Sequence, residues 1–93
     1  MYRDEPLDDE AELREVVGDA AVDMLLTAGG SDAVLAALDA LRILQGWVDD
    51  AGCASWLTTG QRRLEDRTPL AALAEGRSED VDDVLRAFVA AQS

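Results

Sequence analysis

Apolar side chains recur along this chain every three or four positions, with polar ones between them. Leu13, Val16, Val17, Ala20 and Met24 trace one face of a first helix predicted over residues 9–27. Gly18 lies inside it, where glycine costs about 1 kcal/mol relative to alanine and leaves the middle either locally soft or closely approached by another helix. Asp8, Asp9, Glu10 and Glu12 stand at its start, where the positive end of the helix dipole favours carboxylates, so their placement needs no functional role. Ala28-Gly29-Gly30-Ser31-Asp32 reads as a boundary, with two glycines able to take positive φ and a serine able to cap the next helix. A second helix is predicted over residues 32–50. Val34, Leu38, Leu41, Leu44 and Val48 form one stripe, and Ala36, Ala40, Ile43 and Trp47 form another beside it. So wide an apolar arc marks a central helix, packed on the first helix on one side and the C-terminal helices on the other.

Gly52 breaks the pattern, a short helix then carries Trp56 and Leu57, and Thr58, Thr59 and Gly60 end it. A turn comes next in which Arg62, Arg63 and Arg67 face Glu65 and Asp66, the only stretch with a net positive balance. Thr68 is the N-cap of the next helix and Pro69 its first residue, where the missing amide hydrogen costs nothing. Leu70 and Leu73 turn inward and Gly76 closes that helix. Ser78 caps the last one, which has Glu79, Asp80, Asp82 and Asp83 in its first turns and Val81, Val84, Leu85 and Phe88 as its apolar stripe. No strand pattern occurs. The expected fold is all-α: a small bundle of four to five helices, two longer ones first and a short-helix corner near the C-terminus. Residues 1–8 are expected to be a flexible acidic arm and residues 9–93 a single domain.

A chain of 93 residues makes one domain. It is 48% hydrophobic but only 4% aromatic, so its core must be built from Leu, Val and Ala, the usual composition of a helical protein. Twenty acids against eight bases, all Arg, give a net charge of −12. That charge repels polyanions, which counts against nucleic acid and an anionic membrane as partners and favours a basic protein; it also keeps a small protein soluble. Thirteen acids and three arginines in residues 1–50 give −10, whereas seven and five in residues 51–93 give −2, so the two halves face different neighbours. Cys53 is the only cysteine, which rules out an internal disulfide and fits a reducing cytoplasm. No apolar run approaches membrane-spanning length and the acidic N-terminus is unlike a signal peptide, so a soluble protein is expected. Abundant Ala, Gly, Asp, Val and Arg without Lys or Asn is what GC-rich codons produce, pointing to an actinobacterial or actinophage gene.

Catalytic chemistry finds little material. A serine or cysteine hydrolase needs a base, and the chain has no His. Carboxylate pairs could act as acid and base, but nearly all the acids fall at helix starts or on polar faces. "AGGSD" lacks the lysine and spacing of a P-loop, and "DRTPLAALAEG" lacks the alternating acids of an EF-hand. One cysteine and no histidine exclude a zinc site. Two helices joined by "TAGGSD" have the outline of a helix-turn-helix. The second helix would however offer Asp32 and Asp39 to DNA with only Arg42 to neutralise phosphate. A non-enzyme with no cofactor and no metal is expected.

Trp56 and Leu57, Leu64, the run Arg67-Thr68-Pro69-Leu70, Leu73, Gly76, and Val81 with Leu85 succeed one another over residues 54–89 in an order that resembles the toxin-binding domain of Xre/MbcA/ParS antitoxins. Family members usually have Pro in the loop after Trp-Leu, where this chain has Thr58 to Gly60, and Gly before Arg-Thr-Pro, where it has Asp66. The resemblance implies an all-helical module that binds and neutralises a protein toxin, commonly an NAD-consuming enzyme of the RES class, by covering its active site. The contact is then expected on Arg62, Arg63 and Arg67 and on the exposed side of the last helix with Arg77 and Arg86. Trp56 is either an aromatic anchor or a core residue, and the arginines either reach the partner or pair locally with Glu65, Asp66 and Glu75. Competing readings are a stand-alone acidic inhibitor or adaptor of a host protein, and a DNA mimic. Self-association as a homodimer is expected in each case, because so small an Ala and Leu core leaves apolar helix surface to cover.

Overall fold

Local backbone chemistry sets most of the helix ends, and the departures from expectation lie mainly in the first half of the chain. In the computed structural model, which describes residues 6–92, α1 spans Pro6–Val17, α2 Asp19–Gln45, α3 Asp50–Thr58, α4 Pro69–Ala74 and α5 Ser78–Gln92. A single 3-10 turn, Arg62–Leu64, lies between α3 and α4. No strand occurs among the described residues, so the fold is a small all-α bundle. Residues 1–5 of the expected arm lie outside the described residues, and residues 6–8 open α1.

The predicted first helix is cut in two at Gly18. Its φ of 98° and ψ of 155° end α1 and start α2, and a Cβ placed there would meet nothing within 4 Å, so the position answers to backbone conformation and not to a close neighbour. The break resets the helical phase. Leu13 stays buried and Val16 and Val17 half-buried, but Ala20 and Met24 turn outward while Val22 and Leu25 enter the core. Arg14 bridges the break, reaching Glu10 at 3.3 Å, Asp19 at 3.4 Å and Asp23 at 3.1 Å.

The glycine pair at 29–30 forms the expected boundary, as a kink within α2. Gly30 leaves helical geometry at positive φ (φ 73°, ψ −166°), so α2 consists of two helical segments joined at this residue, the second beginning at Ser31. A Cβ on Gly29 would lie 2.6 Å from Ala33 Cβ and 3.0 Å from the Ala74 carbonyl oxygen, so this glycine is what lets α4 approach α2. At its far end α2 stops at Gln45, short of the predicted residue 50, and the break falls over residues 46–49 instead of at Gly52. Asp49 caps α3 by accepting a hydrogen bond from the Gly52 amide at 2.8 Å, which places Gly52 in the first turn of α3. The second predicted stripe is therefore only half internal: Ala40 is buried and Ala36 half-buried, but Ile43 and Trp47 are exposed.

The C-terminal corner forms as its residues dictate. The Thr68 hydroxyl accepts from the Ala71 amide at 3.0 Å and Pro69 takes the first helical position. Gly76 (φ 84°) closes α4 with its amide on the Leu73 carbonyl at 3.0 Å and the Arg77 amide on the Ala72 carbonyl at 2.9 Å, the paired bonds of a Schellman motif. Helix α5 begins at Ser78 itself, so the capping position falls to Arg77 and not to the serine.

Helix α2 packs against each of the other helices, α4 and α1 above all, as its wide apolar arc predicts. Its length and composition would let it cross a membrane. Here nine of its residues, from Val22 to Leu44, lie in the core while Asp23, Asp32 and Asp39 face outward. That is the pattern of the core helix of a compact globule, 39 × 29 × 20 Å, as in a soluble protein. Leu13, Leu25, Leu41, Leu44, Leu57 and Leu85 anchor the core, and no polar or charged residue is buried among the described residues.

Candidate functional site

Between α3 and α4 the chain makes a short excursion whose shape is over-determined. The Gln61 amide donates to the Arg67 carbonyl at 3.0 Å, and the Asp66 amide to the Gln61 carbonyl at 2.9 Å, closing the loop on itself. Leu64 is fully buried beneath it. Gly60 makes the closure possible, because a Cβ there would fall 2.6 Å from the Asp66 carbonyl oxygen. Glu65 and Asp66 come next at φ 60° and 67°, two consecutive left-handed residues that are not glycine. Each costs about 1–2 kcal/mol, somewhat less for Asp, which tolerates this region better.

A chain of ion pairs holds that conformation. The Glu65 carboxylate takes Arg67 Nη1 at 3.1 Å and Arg77 Nη1 at 2.9 Å, while Arg67 Nε reaches Glu75 at 2.8 Å and Arg77 Nε reaches Asp80 at 2.9 Å. The loop is thereby tied to the end of α4 and the start of α5. Asp80 first, and Glu65 after it, push the Arg77 guanidinium further up from its ordinary value. Thr58 and Thr59 turn their hydroxyls back onto the Ala54 and Ser55 carbonyls at 2.6 and 2.5 Å, finishing α3 just before the loop.

The six candidate interface residues separate into three groups. Arg67 and Arg77 are engaged within the ion-pair chain, and Arg86 with Asp82 at 3.0 Å. Trp56 is 7% exposed and lies against Phe88, ring centroids 5.9 Å apart and planes tilted by 55°, so it is placed as a core residue with little surface of its own. Arg62 and Arg63 are exposed and carry no ion pair or side-chain hydrogen bond among the described residues. The other five described arginines each reach a carboxylate, Arg14 and Arg42 included.

Arg62 and Arg63 border a depression of about 340 Å³ floored by Trp56, Val84 and Phe88. A second one, of about 330 Å³, continues it past Gln61 towards Val48 and Thr59. Two cations in a fixed turn beside an aromatic edge can hold a side chain of a partner by charge, stacking and burial together.

Elsewhere the chemistry is sparse. Every described carboxylate is at least partly exposed, and among the described residues no group of three His, Cys, Asp or Glu could hold a metal ion. The Cys53 thiol is buried, and burial first, then the charges of Asp50 and Asp49, push it above its ordinary value. The chain pattern did not reveal how much of α2 and of the turn after it stays uncovered: Leu35 and Ile43 of the helix and Trp47 of the turn are 56, 43 and 46% exposed. The four-residue spacing of Leu35, Asp39 and Ile43 was the available signal, since it puts these three on one ridge of α2, while Trp47 lies in the turn just beyond its end. No protein-family profile, curated protein or solved structure matches this chain.

Proposed function

We propose that this chain is a non-enzymatic docking module of the cytoplasm that binds a partner protein and neutralises or modulates it, as the resemblance to the toxin-binding domain of Xre/MbcA/ParS antitoxins implies. The Arg62–Arg63 pair carries the reading. In a chain with twenty acids and eight bases, these two arginines stand without a carboxylate among the described residues, on a turn tied down by its neighbours' ion pairs and beside an apolar depression. Arginine and tryptophan dominate the centres of protein interfaces, and a preorganised turn loses less entropy on binding than a mobile one. The exposed setting of the carboxylates supports a passive role, because acid–base catalysis draws on groups tuned by burial or by a close like charge.

DNA mimicry draws less support. Glu10, Asp19 and Asp23 gather on Arg14, Asp80 on Arg77 and Asp82 on Arg86, which blunts the row of free charges a phosphate imitation needs. A stand-alone inhibitor of a host protein would use the same face and differ in having no toxin gene beside it. The test is a pull-down from the native cell with tagged wild-type protein and with R62E/R63E. A protein encoded next door, held by the wild type and lost by the variant, is expected. A partner held equally by both forms would take the arginine turn out of the interface.

A further inference from the structure

The opposite flank of α5 borders a separate feature, a furrow between α2 and the α4–α5 corner. Its middle part, about 280 Å³, has Ala36, Ala40 and Ile43 of α2 on one wall and Leu73, Val81 and Leu85 on the other. Ala36, Leu73 and Ser78 also line the depression at one end, which reaches Ala28 and Gly29. Ile43, Asp82 and Leu85 also line the one at the other end, which reaches Val89. The three depressions therefore adjoin one another from residue 28, before the kink at Gly30, to residue 43, and the segment of α2 after the kink, residues 31–43, alone rises about 18 Å or three helical turns. The furrow shares no lining residue with the depression beside Arg62 and Arg63.

Its floor and its rim differ in character. The floor is aliphatic, and Ile43 on it is a large side chain left 43% exposed. Around it stand Asp32, Asp39 and Glu79, exposed and without an ion pair among the described residues, joined by Asp82 and Glu75, which each share one arginine. Arg86, already on Asp82, brings the only positive charge to the furrow's lining. An aliphatic trough about three turns long rimmed by carboxylates, most of them without an ion pair among the described residues, complements a helix with an aliphatic stripe flanked by basic side chains. We infer that this furrow docks a cationic amphipathic helix of a partner protein, its aliphatic side chains over Ala36, Ile43, Leu73 and Leu85 and its Lys or Arg side chains on Asp32, Asp39 and Glu79. A second copy of the chain fits it poorly, because like carboxylates would meet across the contact in a protein already at −12.

The probe is a synthetic amphipathic Leu/Lys peptide of about 16 residues, long enough to fill the furrow, titrated into the isotope-labelled full chain and followed by amide chemical shifts. Shifts centred on Ala36, Leu73 and Leu85 are expected. The D39R/E79R variant should bind about tenfold or more weakly, and so should a peptide with Ser in place of Leu. Glu15 and Asp83 are exposed and lie outside the furrow, so E15R/D83R, with the same net charge, and R62E/R63E should each bind within about twofold of wild type. Equal weakening by E15R/D83R would reduce the attraction to bulk charge and overturn the inference. So would absence of binding, shifts centred on residues 62–63, or a dimer of the free chain that the peptide cannot displace and that I43E dissociates.

Discussion

Gly29 and Gly76 hold the same residue for opposite reasons, and substitution separates them. At Gly29 the constraint is space: an added methyl would collide with Ala33 and with the Ala74 backbone, where neither side is a flexible chain end. Gly29→Ala should cost about 1–3 kcal/mol by overpacking, read as a lower urea midpoint. At Gly76 there is room but φ is 84°, so Gly76→Ala should cost about 1–2 kcal/mol through the backbone alone, and Gly76→Asn less, because Asn tolerates the left-handed region. Equal losses for Ala and Asn would contradict that account. Cys53 gives a pH-dependent readout. Its folded thiol is held above the ordinary value by burial and by Asp50 and Asp49, so the unfolded chain ionises first. Stability attributable to this group is thus complete below the usual thiol range, about pH 8.5, and falls as pH rises through and above it. Labelling with a disulfide reagent at about pH 8 should be slow in the native protein and reach the free-thiol rate only in denaturant; a native rate equal to the free-thiol rate would contradict the burial.

At the scale of elements, the corner from Thr68 to Gly76 was legible because everything it needs is local. A hydroxyl cap, a proline at the first position and a glycine at the stop act within a few residues of one another, and Thr68→Ala should cost about 1 kcal/mol by leaving the Ala71 amide without its partner. Circular dichroism with thermal melting measures that loss, and an unchanged melting temperature would mean the cap is dispensable. The break at Gly18 was not legible as a break, because glycine inside a periodic pattern reads the same whether the backbone bends or continues. Once it bends, every later position rotates, which is why Val22 and Leu25 replace Ala20 and Met24 in the core. The pair Gly29-Gly30 marked a real break between two helical segments, with Gly30 at positive φ, but the pattern did not show that the segments join in a kink without a loop or that Gly29 serves a helix contact. Among the candidate arginines, the sequence placed Arg67 near Glu75 but gave no way to see Arg77 reach twelve residues back to Glu65. That pairing arises from the fold of the corner, and it leaves Arg62 and Arg63 as the two described arginines without a carboxylate among the described residues.

At the scale of the whole molecule, α5 serves two surfaces of opposite sign. Val84 and Phe88 face the depression beside Arg62 and Arg63, while Val81 and Leu85 face the acidic furrow along α2. Met24, Leu26, Leu35 and Trp47 are exposed and lie outside both, and they are the apolar surface on which we propose that the self-association expected from the sequence would draw. A charge of −12 opposes such pairing, so dimer content should rise with salt as screening shortens the repulsion to about 8 Å at physiological ionic strength. Sedimentation equilibrium across a salt series measures it, and L35E/W47E should hold the chain monomeric throughout; a dimer insensitive to both changes would place the contact elsewhere. The claim on which the functional reading turns is that the arginine turn meets the partner. Calorimetric titration of the partner recovered from the native cell tests it most directly, with wild type and R62E/R63E compared at equal ionic strength. Weakening of about tenfold or more with an unchanged melting temperature is predicted, and identical affinity for the two forms would contradict it.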